Sequence, residues 1–179
     1  MPKIKIIAIN SSPRKGNTDF MLDTLLNSAE RNGADVSHIR LREKDIHFCG
    51  GGDNCCPKTG ECEIKDDMPA IYKELESADI IILASPSYFS NVSARMKNFI
   101  DRCNPYWFNK KLKGKKAFLI GVGSIEESIK EMLAIMENFL RILDITCIGS
   151  YHAVADKAGD IGKNVKVIKE LEDIGASLR

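Results

Sequence analysis

Residues 11 to 18 read S-S-P-R-K-G-N-T, a stretch of hydroxyls, an arginine and an amide placed between an apolar run (Ile4, Ile6, Ile7, Ile9) and a helical pattern that starts near Thr18. A strand, a tight polar loop and a helix N-terminus in that order form an anion site. The first N–H groups of a helix have no internal partner, and the positive end of its dipole faces the loop. Ser11, Ser12 and Thr18 add hydroxyl donors, Asn17 reads as the N-cap, and Arg14 can fork two N–H groups onto phosphate oxygens. The stretch is neither G-x-x-x-x-G-K-[ST] nor G-x-G-x-x-G, so it suits a terminal phosphate monoester better than a β/γ-phosphate or a pyrophosphate. The same residue types also build an ordinary strand-to-helix turn with Asn17 as cap.

A second polar loop, Ser85 to Asn91 (S-P-S-Y-F-S-N), follows the apolar run Asp79 to Ala84. Pro86 restricts its backbone, Tyr88 and Phe89 offer aromatic faces, and Ser87, Ser90 and Asn91 can bond the polar edge of a heterocycle. A planar cofactor with a phosphate tail would use both loops. Four cysteines, Cys49, Cys55, Cys56 and Cys62, crowd F48-C-G-G-G-D-N-C-C-P-K-T-G-E-C62. Thiols clustered in this way point to metal or redox chemistry.

The elements that must position these loops alternate. Strands are expected at Lys3 to Ile9, Val36 to Leu41, Asp79 to Ala84, Ala117 to Val122 and Thr146 to Tyr151. Helices are expected at Thr18 to Arg31, Met68 to Ser77 (Asp67 as cap, Pro69 in the first turn), Ser93 to Arg102, Glu126 to Leu143 and Val165 to Leu178. The last helix should turn Val165, Ile168, Leu171, Ile174 and Leu178 inward, and the methionines of the helix before it should fill core. The alternating pattern of Val36 to Leu41 suits an edge strand, with His38 in a solvated edge position. Residues 43 to 67 break the pattern as a Gly- and Cys-rich loop insertion. Five strands alternating with helices make an α/β fold, a parallel sheet covered on both faces in the order 2-1-3-4-5. Its crevice should lie at the carboxyl ends of the first and third strands.

The 179 residues carry 26 Lys and Arg against 25 Asp and Glu, a formal charge of +1. Length favours a single domain over 1–179. The charge balance gives no basic block for nucleic acid and no one-sided patch for a membrane surface. No run reaches the ~18 apolar residues of a membrane span. A signal peptide is not evident, so a cytoplasmic setting with reduced cysteines is expected.

The motifs S11-S-P-R-x-x-G-N-T18, S85-P-x-Y88, V92-S-A-x-M-K-x-F-I-D-R102, L112-K-G-K and C62-E-I-K-D-D-M68 together resemble the NADPH-dependent FMN reductase family of the flavodoxin-like fold, and within it the iron-sulfur flavoproteins. The resemblance implies a three-layer αβα sandwich and FMN, its phosphate on Ser11, Ser12, Arg14, Asn17 and Thr18. It places the flavin ring against Pro86, Ser87, Tyr88, Phe89, Ser90 and Asn91, with Gly121, Gly123 and Ser124 on the far side. NAD(P)H is the implied co-substrate, a small molecule such as a quinone or a redox protein the acceptor. No protein acid or base is implied, since the chemistry belongs to the flavin. His152, past the fifth strand, reads as structural.

An electron carrier docking protein partners is the other redox reading, though +1 gives no hint of the acidic face such carriers use. A phosphate-binding regulatory domain is the third. Family members form dimers or tetramers with FMN at the interface, a role that suits Trp107, Phe108 and Lys110 to Lys116; a solvated basic linker reads equally well. Iron-sulfur flavoproteins carry a C-x2-C-x2-C-x(n)-C run that binds a [4Fe-4S] cluster. Cys49, Cys55 and Cys62 match three of its positions, Gly52 stands at the second, and Cys56 is an extra thiol. The loop can rearrange to use Cys56, borrow Asp53, His47 or an outside ligand, or have lost its cluster; zinc is a further alternative.

Overall fold

Residues 3–51 and 55–178 are described by a computed structural model. The consecutive branched side chains Ile80, Ile81 and Ile82 explain the centre of the sheet. They open β3 (Ile80–Pro86), which is buried along its whole length, as a parallel strand covered on both faces must be. β1 (Lys5–Asn10) and β4 (Lys116–Gly123) flank it, and β2 (Asp35–Arg40) and β5 (Thr146–Val154) are the edges. Every pairing is parallel and the order is β2-β1-β3-β4-β5, the expected flavodoxin-like topology.

The helices are α1 (Asn17–Arg31), α2 (Cys56–Thr59), α3 (Met68–Ser77), α4 (Ala94–Arg102), α5 (Pro105–Asn109), α6 (Glu126–Ile142) and α7 (Val165–Ser177). Alternation along the strands divides the core in two. Ile7, Ile9, Ile81 and Leu83 pack with Leu75, Met96, Phe99, Met132 and Met136, under α3, α4 and α6. Ile6, Ala8, Ile80 and Ile82 pack with Leu22, Leu25, Val167 and Leu171, under α1 and α7. The methionines of α6 are core, as expected.

Several boundaries differ for local reasons. β1 starts at Lys5 and reaches Asn10, β5 runs past Tyr151 to Val154, and Leu41 leaves β2 to open a 3-10 turn. The short helices α2 and α5 lie in segments read as loop and linker, each with Pro in its first turn, where its missing N–H costs nothing. Asn17 is the first residue of α1 and not its cap; Gly16 holds the cap position without a side-chain bond. Asp67 occupies the cap of α3, but Asp66 Oδ1 accepts the Met68 N–H at 2.9 Å while Asp67 turns to the Asp45 amide. His38 is not solvated. Its Nδ1 meets Asp23 at 3.0 Å and its Nε2 meets Asn10 at 3.3 Å, and burial, then Arg40, lower its pKa below the ordinary value. Asn164 caps α7 through the Val167 amide, so Val165 is exposed; Val167, Leu171, Gly175 and Leu178 are buried, and Ile174 packs partly buried against the same core.

Gly175 lets α1 and α7 touch. A Cβ there would stand 2.3 Å from the Leu25 carbonyl oxygen and 2.8 Å from Ser28 Cβ. Gly175→Ala should therefore cost roughly 1 to 3 kcal/mol through overpacking, seen as a lower urea midpoint with unchanged slope. An unchanged midpoint would mean that the helix pair separates freely.

Candidate functional site

β1 and β3 are neighbours, yet α1 leaves toward one face of the sheet and α4 toward the other. A crevice opens where the chain diverges. Serines lock its two walls together. The Ser11 N–H and hydroxyl both donate to the Ala84 carbonyl at 3.0 Å. Ser93, the cap of α4, donates its hydroxyl to the Ser11 carbonyl at 3.0 Å and its amide to Ser85 Oγ at 3.0 Å. Within the first loop the Ser12 amide donates to Asn10 Oδ1 at 2.9 Å and the Ser12 hydroxyl to the Arg14 carbonyl at 2.7 Å.

Ser12, Arg14, Asn17 and Thr18 from the first loop, Pro86, Ser87 and Tyr88 from the second, and Gly123 and Ser124 from the third line one cleft of about 210 Å³. Gly16 and Val122 line it as well, and so do Ala155, Asp156 and Ala158, which sequence reasoning missed because the fifth strand was ended too early. A parallel strand brings the turn after it to the same end of the sheet, which was the available signal. Asn17 ties this fourth wall to the first. Its Nδ2 donates to the Lys157 carbonyl at 2.9 Å and its Oδ1 accepts from the Gly159 amide at 2.9 Å.

The other expected residues stand outside the lining. Ser11 is fully buried behind the cleft, bonding the sheet. Gly121 admits α6: a Cβ there would meet Ile129 at 2.6 Å. Phe89, Ser90 and Asn91 form the tip of the second loop, where the Tyr88 and Asn91 backbones bond each other at 2.9 and 3.0 Å. His152 faces Glu126 at 3.8 Å and does not line the cleft.

The cleft suits a phosphate. Arg14 is the cation of its lining and Asp156 the anion, while the first-turn amides of α1 lack helical acceptors. Nothing lies within 4 Å of a Cβ built on Gly16, so the space before those amides is open. Asp19, buried in the same turn, would oppose an anion. Instead it binds Arg42 at 2.9 Å and Arg40 at 3.2 Å.

The cysteine loop is anchored by a fully buried ion pair, Arg102 with Asp66. Arg102 also donates to the His47 carbonyl at 2.8 Å and to Cys62 Sγ at 3.5 Å, and its buried Nε has no partner. Burial alone would raise the Asp66 carboxyl, but Arg102 and the Met68 and His47 amides bring it below the ordinary value. Cys55 and Cys56 have sulfurs 3.5 Å apart. Burial, chiefly, pushes the Cys56 thiol up to about 11, and the Cys56 amide brings Cys55 down. Cys49 is exposed and lies along an apolar groove with Trp107 and Phe139. Gly52 and Asp53 lie outside the described residues. Among the described residues no three His, Cys, Asp or Glu side chains gather into a metal-sized group. Cys62 stands near enough to Cys56 to push its thiol further in the same direction as burial does.

Residues 4–160 match a protein-family model described as NADPH-dependent FMN reductase. An iron-sulfur flavoprotein of Archaeoglobus fulgidus is 35% identical over 98% of this chain and 79% of its own length. One of Methanocaldococcus jannaschii is 34% identical over 96% and 90%. Among solved structures, an NAD(P)H:quinone oxidoreductase from Methanothermobacter marburgensis superimposes with a TM-score of 0.82 at 13% identity, covering 99% of this chain and 97% of that one. A Megasphaera elsdenii flavodoxin gives 0.58 at 21%, covering 96% and 98%. Both likenesses concern the fold. No helix among the described residues is long and apolar enough to cross a membrane.

The Arg102–Asp66 pair generates a pH prediction. A carboxylate whose folded pKa is depressed adds stability above its unfolded value, near 3.9, and loses it as pH falls through the folded one. Proteolysis within residues 44–65 should therefore accelerate below about pH 4. Asp66→Asn should remove that step and cost roughly 3 to 5 kcal/mol at neutral pH by stranding a buried guanidinium. Equal proteolysis of wild type and variant from neutral pH to pH 3 would show that the pair does not hold the loop.

Proposed function

The chain belongs to the NADPH-dependent FMN reductase family, and from that premise we propose that the cleft at the carboxyl ends of β1 and β3 is its FMN site and that a nicotinamide cofactor and an acceptor meet there. One observation carries the placement: Arg14, the open first-turn amides of α1 and the Pro86–Tyr88 segment converge on a single cleft. The whole chain, on this reading, serves that one site.

When bound, FMN would supply the redox chemistry between a nicotinamide and an acceptor. The protein's part is binding and orientation. Thr18 and the amides of Asn17 and Thr18 would hold the phosphate, with Arg14 as the charged donor, while Ser12 shapes the loop through its bond to the Arg14 carbonyl. Ser11 contributes from behind, by holding the loop against Ala84. Pro86, Ser87 and Tyr88 form one wall of the ring site and Gly123 and Ser124 the facing one. The loop after β5, clamped by Asn17, closes the open end.

The cysteine loop is not required for this reading. The relatives are iron-sulfur flavoproteins by name; here Cys55 and Cys56 contact each other and Cys62 contacts Arg102. Iron and sulfide analysis of anaerobically purified protein tests the loop: about four of each per chain, lost in Cys62→Ala, would establish a cluster, and flavin without iron would leave the thiols unligated.

FMN, not FAD, should be recovered from denatured protein, since the cradle is built for one terminal phosphate. Arg14→Ala should weaken FMN binding by about 1.5 to 3 kcal/mol, the range of a charge-assisted hydrogen bond. Unchanged affinity would remove Arg14 from the site. NADH or NADPH should bleach the flavin band at ~450 nm in stopped flow, as direct hydride transfer requires; bleaching only by a protein reductant would favour an electron carrier.

A further inference from the structure

The tip of the second loop is a two-residue turn in which Phe89 and Ser90 both have positive φ, 51° and 58°. Closed by the paired Tyr88 and Asn91 backbones, it is the hairpin geometry that ordinarily takes Asn-Gly. A bulky aromatic residue in that conformation is unusual and unfavourable. The turn is nevertheless held firmly. The Ser90 amide donates to Ser128 Oγ at 3.2 Å, Ser128 Oγ bonds Ser87 Oγ at 2.7 Å, and Ser87 Oγ donates to the Ser128 carbonyl at 2.9 Å. All this support displays a phenylalanine that the fold leaves fully exposed. No packing compensates for the ring's exposure, while the adjacent Tyr88 lines the cleft.

We propose that Phe89 is a specificity-determining platform: its ring stacks on the planar face of a neutral quinone-class acceptor docking at the mouth of the cleft. The proposal rests on the FMN reading of that cleft. A neutral acceptor is favoured because Ser85 to Ala94 contains no charged residue. Aromatic stacking needs only a flat partner held at ring distance, and a rigid turn presents the ring at little further entropic cost.

The test uses FMN-loaded protein with menadione as the planar acceptor and ferricyanide as the non-planar one. In the Phe89→Asn/Ser90→Gly double variant, which installs the ordinary turn, the ratio of kcat/KM for menadione to that for ferricyanide should fall about three- to tenfold, the worth of one stacking contact. Menadione binding to the oxidised protein, by calorimetry, should weaken to match, and the thermal midpoint should rise as backbone strain is relieved. Phe89→Trp should keep the ratio. An unchanged ratio, a lower thermal midpoint, or dissociation of an oligomer in the double variant would overturn the platform. Each would show that the ring is idle, packed or covered by a second copy. Wild-type protein that holds no FMN would instead remove the reading on which the proposal stands.

Discussion

The carbonyl of Ala84 accepts two bonds from one residue, the amide and the hydroxyl of Ser11, and the cleft depends on that junction. β1 and β3 end there side by side, and each then turns to the opposite face of the sheet. Left unlinked, the two loops would move as independent surface segments. Ser93 closes the circuit by bonding the Ser11 carbonyl with its hydroxyl and Ser85 Oγ with its amide. Because Ser11, Ser85 and Ser93 are all buried, these bonds form away from competing water, where an unmade one is costly. The two walls of the cleft thus share one rigid root.

That junction also marks how far the sequence could be read. The sheet order, the two core layers and the location of the crevice follow from the branched run at Ile80 to Leu83 and the alternation along β1, which are local and strong. Ser11 was legible as a hydroxyl near an anion loop, but not as one turned backward, because its direction is set by a strand 73 residues away in sequence. Gly121 was likewise read as backbone facing a ligand, whereas its bare α-carbon is occupied by Ile129 and Met132 of α6. Ala155, Asp156 and Ala158 carry little chemical signal of their own; only the true end of β5 places them.

Electrostatics around α1 shows the same dependence on distant partners. A carboxylate in the first turn of a helix favours the helix dipole but disfavours a bound anion. Asp19 is in that position, and Arg40 and Arg42, brought in at the end of the edge strand and the turn after it, neutralise it. Arg40 also reaches Asp23, which in turn holds His38. The cations of β2 and its exit are thus engaged with α1, leaving Arg14 as the positive group of the cleft lining. At a few ångströms such pairs are strong enough to cancel the penalty on an anion nearby, the more so where water is excluded.

The cysteine loop is organised around a different constraint. Arg102 and Asp66 are both removed from solvent, and such a pair holds together mainly because breaking it would strand a charge. Its geometry draws the two ends of the loop, at His47 and at Cys62 to Met68, onto α4. A four-iron cage needs four sulfurs facing one centre. Here Cys62 faces a guanidinium, Cys55 and Cys56 face each other, and Cys49 lies along the Trp107 groove. The ion pair therefore fixes where the loop meets α4, and with it the position of Cys62 beside the guanidinium.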